Sequence, residues 1–448
     1  MTPACPSVAV IGAGISGLAA AHALSPVAHV TVLEASDYFG GHAHSVDITL
    51  PLSDSDPRPV THAVDTGFLV YNDRTYPQLI DLFARLGVVT APSEMSFSVQ
   101  APRAGGGRLE WSGNSLNTVF AQRRNLLDRH FLGMLADLVR FNRLTTRIAQ
   151  AGTEGELTQP LSQFLDAHRF GAAFRDGYFL PMMGCIWSCP TEQMLSFPVA
   201  TMIRFCHNHG LLQITDRPQW RTVQGGSRHY VDKLIAMLPN TRLSTPVRRV
   251  MRGAQGVLVT TDKGTERFDH VVMATHSDQS LALLADPSPA ERELLGAIRY
   301  QPNRAVLHTD IGVLPQKRAA WAAWNYESAG AGQDGGGVCL HYLLNKLQPL
   351  PWQQPVVVSL NPVREIDRRH VMAEYDYAHP VFDLAALRAQ SGIDGLQGHR
   401  GTWFAGAWMG YGFHEDGLKA GLAVAAKLGA HIASSTQPVH ETARKLAA

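Results

Sequence analysis

Long apolar runs, paired cysteines and an excess of charge of either sign are all scarce in this chain of 448 residues. No run approaches the roughly 18 to 20 apolar residues that span a bilayer, so no transmembrane helix is expected. The five cysteines, Cys5, Cys185, Cys189, Cys206 and Cys339, are an odd set without a CxxC or a zinc spacing. Cys185-Ile-Trp-Ser-Cys189 reads as two reduced, packed thiols, and no metal site is expected. Charged residues make up 17% of the chain and the net charge is +1. That balance gives no global attraction for nucleic acid. With 45% hydrophobic residues the chain is an ordinary globular protein, and its length points to two domains. Ala19-Ala-Ala-His-Ala23 follows an apolar run, as a cleavage site for secretion would, but it lacks a basic segment before it. A cytoplasmic location is the expectation.

What the chain does have is concentrated at its beginning. In Ser7-Val-Ala-Val-Ile-Gly-Ala-Gly-Ile-Ser-Gly-Leu-Ala-Ala-Ala21, Gly12, Gly14 and Gly17 form a GxGxxG turn between an apolar strand and an Ala-rich helix. The first glycine serves the tight turn, the second lets backbone approach a pyrophosphate, and the third lets helix and strand pack closely. The helix N-terminus adds unpaired N–H groups and a positive dipole end. Glu34 closes the next strand, where a carboxylate can accept hydrogen bonds from both ribose hydroxyls of an adenosine. Gly330-Ala-Gly-Gln-Asp-Gly335 fits the same pattern, but it follows polar residues and leads into a strand, so it reads as a loop. No second nucleotide fold is visible, which argues against a built-in NAD(P)H site.

Further along, Tyr38-Phe-Gly-Gly-His-Ala-His44 again permits close backbone approach, and Val64-Asp-Thr-Gly-Phe-Leu-Val-Tyr71 reads as a strand interrupted by glycine. Thr75 to Gly87 has helical spacing with a glycine stop, and alternation from Met95 to Trp111 around Gly105-Gly-Gly107 suggests a hairpin. From Leu116 to about Gln150 the pattern is helical and arginine-rich. It reads either as a solvated helix face or as a surface that meets anionic lipid headgroups. Thr222-Val-Gln-Gly-Gly-Ser-Arg228 reads as a helix start, Arg242–Val250 as a strand paired with Gly256–Thr261, and Phe268–His276 as a buried strand. A strand-rich excursion follows from about Ala290 to Arg400, and the segment from Thr402 to Ala425 returns to a strand, a glycine-rich turn and an Ala-rich helix.

The opening turn with Glu34, Gly40-Gly41, the strand around Val247, the strand end at Ala274 and the closing Phe404-Ala-Gly406 to Gly421 segment resemble the flavin-containing amine oxidase and phytoene desaturase superfamily. The resemblance spans nearly the whole chain. It implies an α/β fold, with a Rossmann-like FAD-binding domain and a discontinuous mixed α+β substrate domain. The corresponding boundaries are 1–74, 215–289 and 401–435 for the FAD-binding domain, a helical part 75–214 and a strand-rich part 290–400 for the substrate domain, and a tail 436–448. A narrower set of motifs, Gly40-Gly-His-Ala43, Val70-Tyr-Asn-Asp-Arg-Thr-Tyr-Pro77, Ile186-Trp-Ser-Cys-Pro190, His207-Asn-His-Gly-Leu-Leu-Gln213, Arg217-Pro-Gln-Trp220 and Gly410-Tyr-Gly-Phe-His-Glu-Asp-Gly417, is similar to the flavoprotein domain fused to, or encoded beside, cyclopropane fatty acid synthases.

Carried onto this chain, the resemblance implies that Gly12, Gly14, Ser16 and Gly17 face the FAD diphosphate and Glu34 the adenosine ribose. Gly41 and His42 stand where most amine oxidases have a glycine and an arginine, so His42 is a departure to a weaker, titratable donor. Val247 matches the backbone contact to adenine, Gly67, Phe68 and Leu69 the segment passing the isoalloxazine, and Gly406 the closing segment. Glu415 or Asp416 matches the acid near the ribityl chain, and Gly417 with Leu418 starts a helix aimed at the flavin. Tyr411, His414, His207 and His209 are the candidate catalytic residues. Trp408 and Phe413 either wall a channel or pack beneath the cofactor. The implied function is an FAD-dependent oxidoreductase acting on a lipid or fatty acyl chain by hydride transfer to flavin N5, as a desaturase or isomerase. A flavin amine oxidase and an accessory flavoprotein for a lipid methyltransferase are the alternatives. Expected partners are a lipid substrate, such a methyltransferase and peripheral contact at the inner membrane face.

Overall fold

The computed structural model describes residues 5–103, 106–153, 157, 159–187, 191–211, 217–328 and 338–436. The Gly330–Gly335 loop, Cys189, the end of the His207–Gln213 motif and residues 437–448 of the expected tail lie outside the described residues. Among the described residues, no helix is long and apolar enough to cross a membrane. The chain forms two compact units, each discontinuous in sequence.

The first unit draws on residues 1–43, 230–298 and 388–448. Its sheet has five strands in the order Thr241–Arg242, His29–Leu33, Ser7–Ile11, His270–Met273 and Thr402–Phe404. Every pairing is parallel. Val8, Val10, Val32, Val271 and Val272 are fully buried, as β-branched residues are in strands covered on both faces. Strand order reverses at Ser7–Ile11, because His29–Leu33 and Thr241–Arg242 lie on one side of it and His270–Met273 and Thr402–Phe404 on the other. Open parallel sheets bind nucleotides at such a reversal, outside the carboxyl ends of the strands. An antiparallel meander, Val247–Gly253, Gly256–Thr261 and Gly264–Phe268, completes this part of the unit.

The second unit draws on residues 44–229 and 299–387. Its seven-stranded sheet runs in the order Val371–Val381, Arg299–His308, Val357–Leu360, Cys339–Leu343, Trp324–Glu327, Phe97–Pro102 and Arg108–Ser112. The Ser45–Pro51 and Pro59–Asp65 strands form a separate hairpin, and Tyr71–Asn72, Trp220–Val223 and Thr90–Ser93 a small third sheet. Pro77–Leu86 is a helix stopped by Gly87 at φ 61°, and Arg129–Ala151 begins the helical region.

Several boundaries differ from those expected, and hydrogen bonds explain where they fall. Residues 44–74 and 215–229 belong to the second unit because the buried Asp65 carboxylate draws both segments onto it. Asp65 accepts hydrogen bonds from the Ser45 hydroxyl at 2.5 Å, the Ser227 N–H at 2.9 Å and hydroxyl at 2.7 Å, and the Gln348 amide at 2.7 Å. Residues 290–298 and 388–400 belong to the first unit, where Gln390 donates to the carbonyls of Trp408 and Gly410 at 2.8 and 2.7 Å. Val64–Tyr71 is not one strand. Its two ends enter different sheets. Likewise Arg242 joins the parallel sheet while Val247–Gly253 pairs with Gly256–Thr261.

A buried ion pair stabilises the first unit. The Arg252 and Glu291 side chains are each 1% exposed and in direct contact, and the Arg252 Nε also donates to Asp286 at 3.1 Å. Burial raises the Glu291 carboxyl, but hydrogen bonds from Arg252 and Ser288 outweigh it and hold the group below its ordinary value. Because the folded value is depressed, this contribution is complete above the unfolded pKa and is lost as pH falls through the folded one. Glu291→Gln is therefore expected to cost about 3 kcal/mol at pH 7, since it leaves the buried guanidinium with only the longer, partly exposed contact to Asp286 to balance its charge. Urea unfolding should show the gap from wild type closing as pH falls below the carboxylate range.

Candidate functional site

The carboxyl ends of the first unit's strands carry two glycine loops. Gly12 adopts φ +99°, and a Cβ there would stand 2.7 Å from the Ala274 carbonyl oxygen. At Gly17 a Cβ would be driven into the Gly12 carbonyl oxygen and stand 3.2 Å from the Ala274 Cβ. Both glycines answer to the protein's own packing. Gly14 does not, because its φ is an ordinary −71° and a Cβ there would meet nothing within 4 Å. The Gly40 N–H donates to the Ala13 carbonyl at 2.9 Å, Gly14 and Gly40 form a parallel bridge, and a Cβ on Gly41 would lie 3.2 Å from the Gly14 Cα. Backbone thus faces backbone beside open space.

Two helices begin at this place. Ile15–Leu24 starts from Gly14 without any side-chain cap, so its first N–H groups are available to an anion. His414–Thr436 lies against it through glycine: a Cβ on Gly417 would stand 2.8 Å from Ile15 Cγ2 and 2.9 Å from Ser16 Oγ, and one on Gly421 would collide with the Ser16 carbonyl. The positive ends of two helix dipoles therefore sit side by side. Asp416 shapes the entry to the second helix, accepting the N–H groups of Tyr411 at 3.1 Å and Phe413 at 3.0 Å. Burial pushes its carboxyl up to about 6. Glu415 and Leu418 are 2% and 1% exposed, and Lys419 approaches Glu415 at 3.6 Å.

Glu34 stands at the end of its strand, half-buried. Its carboxylate accepts the N–H groups of Ala13 at 2.7 Å and Ser36 at 2.9 Å, one per oxygen, which leaves lone pairs for hydroxyl donors. The backbone of Glu34 and Ser36 is tied to Arg242, Ser244 and Thr245 by hydrogen bonds of 2.8 to 2.9 Å. That tether brings in Val247, where the strand pairing shifts before Arg249. His42 lies with its ring centroid 6.3 Å from that of His276, whose pKa burial lowers. At Gly406 a Cβ would collide with the Trp408 indole, which is buried and donates to the Thr275 carbonyl at 3.1 Å. Trp408 is packing beneath the strand ends.

The expected catalytic residues separate into different settings. Tyr411 is half-buried on the turn before the last helix. His414 Nε2 meets the Tyr230 hydroxyl at 2.6 Å, and burial pushes its pKa down to about 3. Near neutrality it is uncharged and serves as a hydrogen-bonding partner of the Tyr230 hydroxyl. His207 and His209 lie in the second unit. His209 ends the Val199–Asn208 helix, its Nδ1 3.0 Å from the Phe205 carbonyl and its ring stacked on Phe205 at 4.0 Å. It is engaged by its own helix. Gly67, Phe68 and Leu69 also lie in the second unit, where Thr222 donates to the Leu69 carbonyl at 2.9 Å.

Two buried polar clusters of the second unit were not anticipated from sequence. One is the Asp65 cluster described above, where burial raises the carboxyl to about 6. Its signal was an acid ending an apolar strand, with a glycine two residues on. The other joins Glu327, Cys339 and His341, whose ligand-type atoms lie within 4.8 Å of one another. Glu327 also receives Arg108 at 2.7 Å and Arg364 at 3.1 Å, and His341 Nδ1 meets Ser359 at 2.6 Å. With two guanidinium groups beside it, the trio reads as a charge-balanced core and not as a cation site.

The glycines separate fold from ligand experimentally. Gly14→Ala should leave the unfolding midpoint nearly unchanged while weakening dinucleotide retention, since only a ligand can occupy the space its Cβ enters. Gly17→Ala should lower the midpoint itself. Glu34→Ala should cost about 1.5 to 3 kcal/mol of cofactor binding by removing charge-assisted hydrogen bonds, or one to two decades in Kd. Titrating the stripped protein with cofactor and melting it without cofactor measures both.

A family model for flavin containing amine oxidoreductases matches residues 15–308. AofH of Mycobacterium tuberculosis, a candidate flavin-containing monoamine oxidase, is 25% identical over 296 residues, covering 62% of this chain and 59% of AofH. The chain thus matches under two thirds of that relative's length. Among solved structures, putrescine oxidase bound to putrescine gives a TM-score of 0.67 at 16% identity, over 95% of this chain and 99% of that one. The fatty acid isomerase of P. acnes gives 0.66 at 17%, over 94% and 98%. Cyclohexylamine oxidase of Brevibacterium oxydans gives 0.66 at 15%, over 96% and 99%. These likenesses concern the fold. The family match over 15–308 makes this chain, with its two helix N-termini and the Glu34 carboxylate at the strand ends, a member of the flavin-containing amine oxidoreductase family.

Proposed function

We propose that this oxidoreductase acts on a lipid or fatty acyl chain, as a desaturase or isomerase. FAD suits the first unit, where Gly14 borders open space and the Ile15–Leu24 helix is uncapped. In this reading Gly12, Gly14, Ser16, Gly17, Gly41 and His42 hold the diphosphate, Glu34 the ribose, the Val247 backbone the adenine, and Gly406 with Glu415–Leu418 the flavin end. Bound FAD supplies a hydride acceptor at N5, and the protein orients a C–H bond and excludes water.

The observation that carries the acyl reading is the state of His414. Tyr411, Phe413 and an imidazole pushed down to about 3 by burial make a largely aromatic surface without a positive charge from its imidazole at the start of the last helix. Such a surface suits an apolar chain. The likeness to flavoproteins associated with cyclopropane fatty acid synthases and the shared fold of a fatty acid isomerase support the same choice. An isomerase returns the hydride to the chain and moves a double bond, so it needs no outside oxidant. A desaturase also releases a proton from the neighbouring carbon and passes two electrons to an acceptor. An accessory role beside a lipid methyltransferase would use the same FAD site with little turnover.

Amine oxidation is the second reading, favoured by AofH and by the putrescine and cyclohexylamine oxidase folds. Anaerobic mixing separates the readings. Unsaturated or cyclopropanated acyl phospholipids should bleach the flavin or yield a shifted double bond by mass spectrometry, with amines inert. Tyr411→Ala should slow that reaction about ten-fold or more while FAD content stays at the wild-type level. Bleaching by primary or secondary amines with lipids inert selects the amine oxidase. No turnover with either, together with tight methyltransferase binding, selects the accessory role.

A further inference from the structure

We infer that residues 116–132 of the second unit form a docking surface for an anionic lipid bilayer. Five leucines stand exposed among the described residues, and four of them are here: Leu116 at 79%, Leu126 at 49%, Leu127 at 92% and Leu132 at 42%. Their exposure is built in. Asn125 is fully buried at the centre of the Arg123–Leu127 turn, and Phe131 packs edge-on against Trp111 and Phe120 with centroids 5.9 Å apart. Asp128 caps the following helix, accepting from His130 at 3.0 Å and Phe131 at 3.2 Å, and pairs with Arg103 at 2.7 Å. Arg123 reaches back to the Asn117 side chain at 2.6 Å and the Phe120 carbonyl at 2.9 Å. With its inner side anchored, the turn presents leucine outward.

Charge identifies the occupant. Residues 113–150 hold six arginines against two aspartates, and both aspartates are already paired, Asp128 with Arg103 and Asp137 with Arg140. The hydrogen bonds of Arg123 and Arg124 go to carbonyl and amide oxygens, and among the described residues no acid compensates their charge. On the Arg129–Ala151 helix, Arg129, Leu132, Gly133, Ala136, Arg143 and Arg147 share the exposed face, while Phe131, Met134, Phe141 and Thr145 are buried. Arg140 lies on the same face, paired with Asp137 at 2.9 Å and with its guanidinium over the Phe170 ring at 4.2 Å. Protruding leucines set among exposed arginines suit acyl chains beneath a phosphate layer, where leucine enters hydrocarbon and arginine meets headgroup oxygens. The inference goes beyond the substrate reading and stands on this surface alone.

Vesicle sedimentation of the FAD-loaded protein tests it. At low salt it should partition onto phosphatidylglycerol-containing vesicles and not onto pure phosphatidylcholine, and 0.5 M salt should release it, because screening acts over only about 10 Å already at 0.1 M. Each arginine near an anionic surface contributes about five-fold, so R123E/R124E should lower partition by more than about twenty-fold. L116S/L127S should lower it by about ten-fold or more, with FAD absorbance unchanged in both variants. Equal binding to neutral vesicles, no binding to either, or partition indifferent to both variants would overturn the proposal. So would a dimer that L116S/L127S dissociates, which would assign the surface to a second copy of the chain. If a variant loses FAD, the salt and lipid series on the unaltered holoenzyme decides alone. Binding without lipid turnover, or turnover without binding, separates this inference from the proposed reaction.

Discussion

Two helices of the first unit touch through their backbones, and the nucleotide end of the fold depends on that contact. Gly17 lies on the Gly12 carbonyl, Gly421 on the Ser16 carbonyl, and Gly417 on Ile15 and Ser16. A methyl group at any of the three would push the Ile15–Leu24 helix from its turn or from the His414–Thr436 helix. The gain is electrostatic. Two sets of helix N–H groups and two positive dipole ends meet at one place, which suits an anion.

The second unit is organised around a different interaction, a buried carboxylate satisfied by hydrogen bonds instead of a cation. Asp65 draws in Ser45, Ser227 and Gln348, three segments far apart in sequence. A buried acid without these donors would be costly, so strand ends, glycine turn and Gln348 stand or fall together. The first unit answers the same problem with the Arg252–Glu291 ion pair. Neither cluster involves the glycine turn or Glu34. Each is a way of holding discontinuous chain segments in one compact unit.

Electrostatics near the last helix follow from desolvation more than from partners of opposite charge. His414 is pushed down and Asp416 up, both by burial. Each is satisfied by neutral hydrogen-bonding groups, the Tyr230 hydroxyl for the imidazole and the Tyr411 and Phe413 amides for the carboxylate. The turn between Trp408 and His414 is thereby held by hydrogen bonds, largely aromatic and free of positive charge from its imidazole.

Local sequence was sufficient where the physics is local. The GxGxxG turn, the acid at Glu34, the helix stopped by Gly87 and the hairpin from Phe97 to Ser112 each depend on spacing and backbone freedom within a few residues, and each could be read from the residues themselves. Limits of the compact units could not, because residues 44–74 and 215–229 are held together by the Asp65 carboxylate and the N–H and hydroxyl of Ser227, 162 residues apart. The roles of His209, His414 and Trp408 were also beyond sequence, since burial and a carbonyl, hydroxyl or amide partner decide whether such a side chain is a base, a wall or a strut. The exposed leucines are the clearest case: Leu126, Leu127 and Leu132 fit a helical core pattern as letters, and only the packing of Asn125, Phe131 and Asp128 against their neighbours turned those leucines toward solvent. Sequence by itself therefore determined the cofactor turn, whose geometry is set by adjacent backbone atoms, whereas the tertiary structure decided which buried and exposed groups surround it, because desolvation is a property of the folded whole.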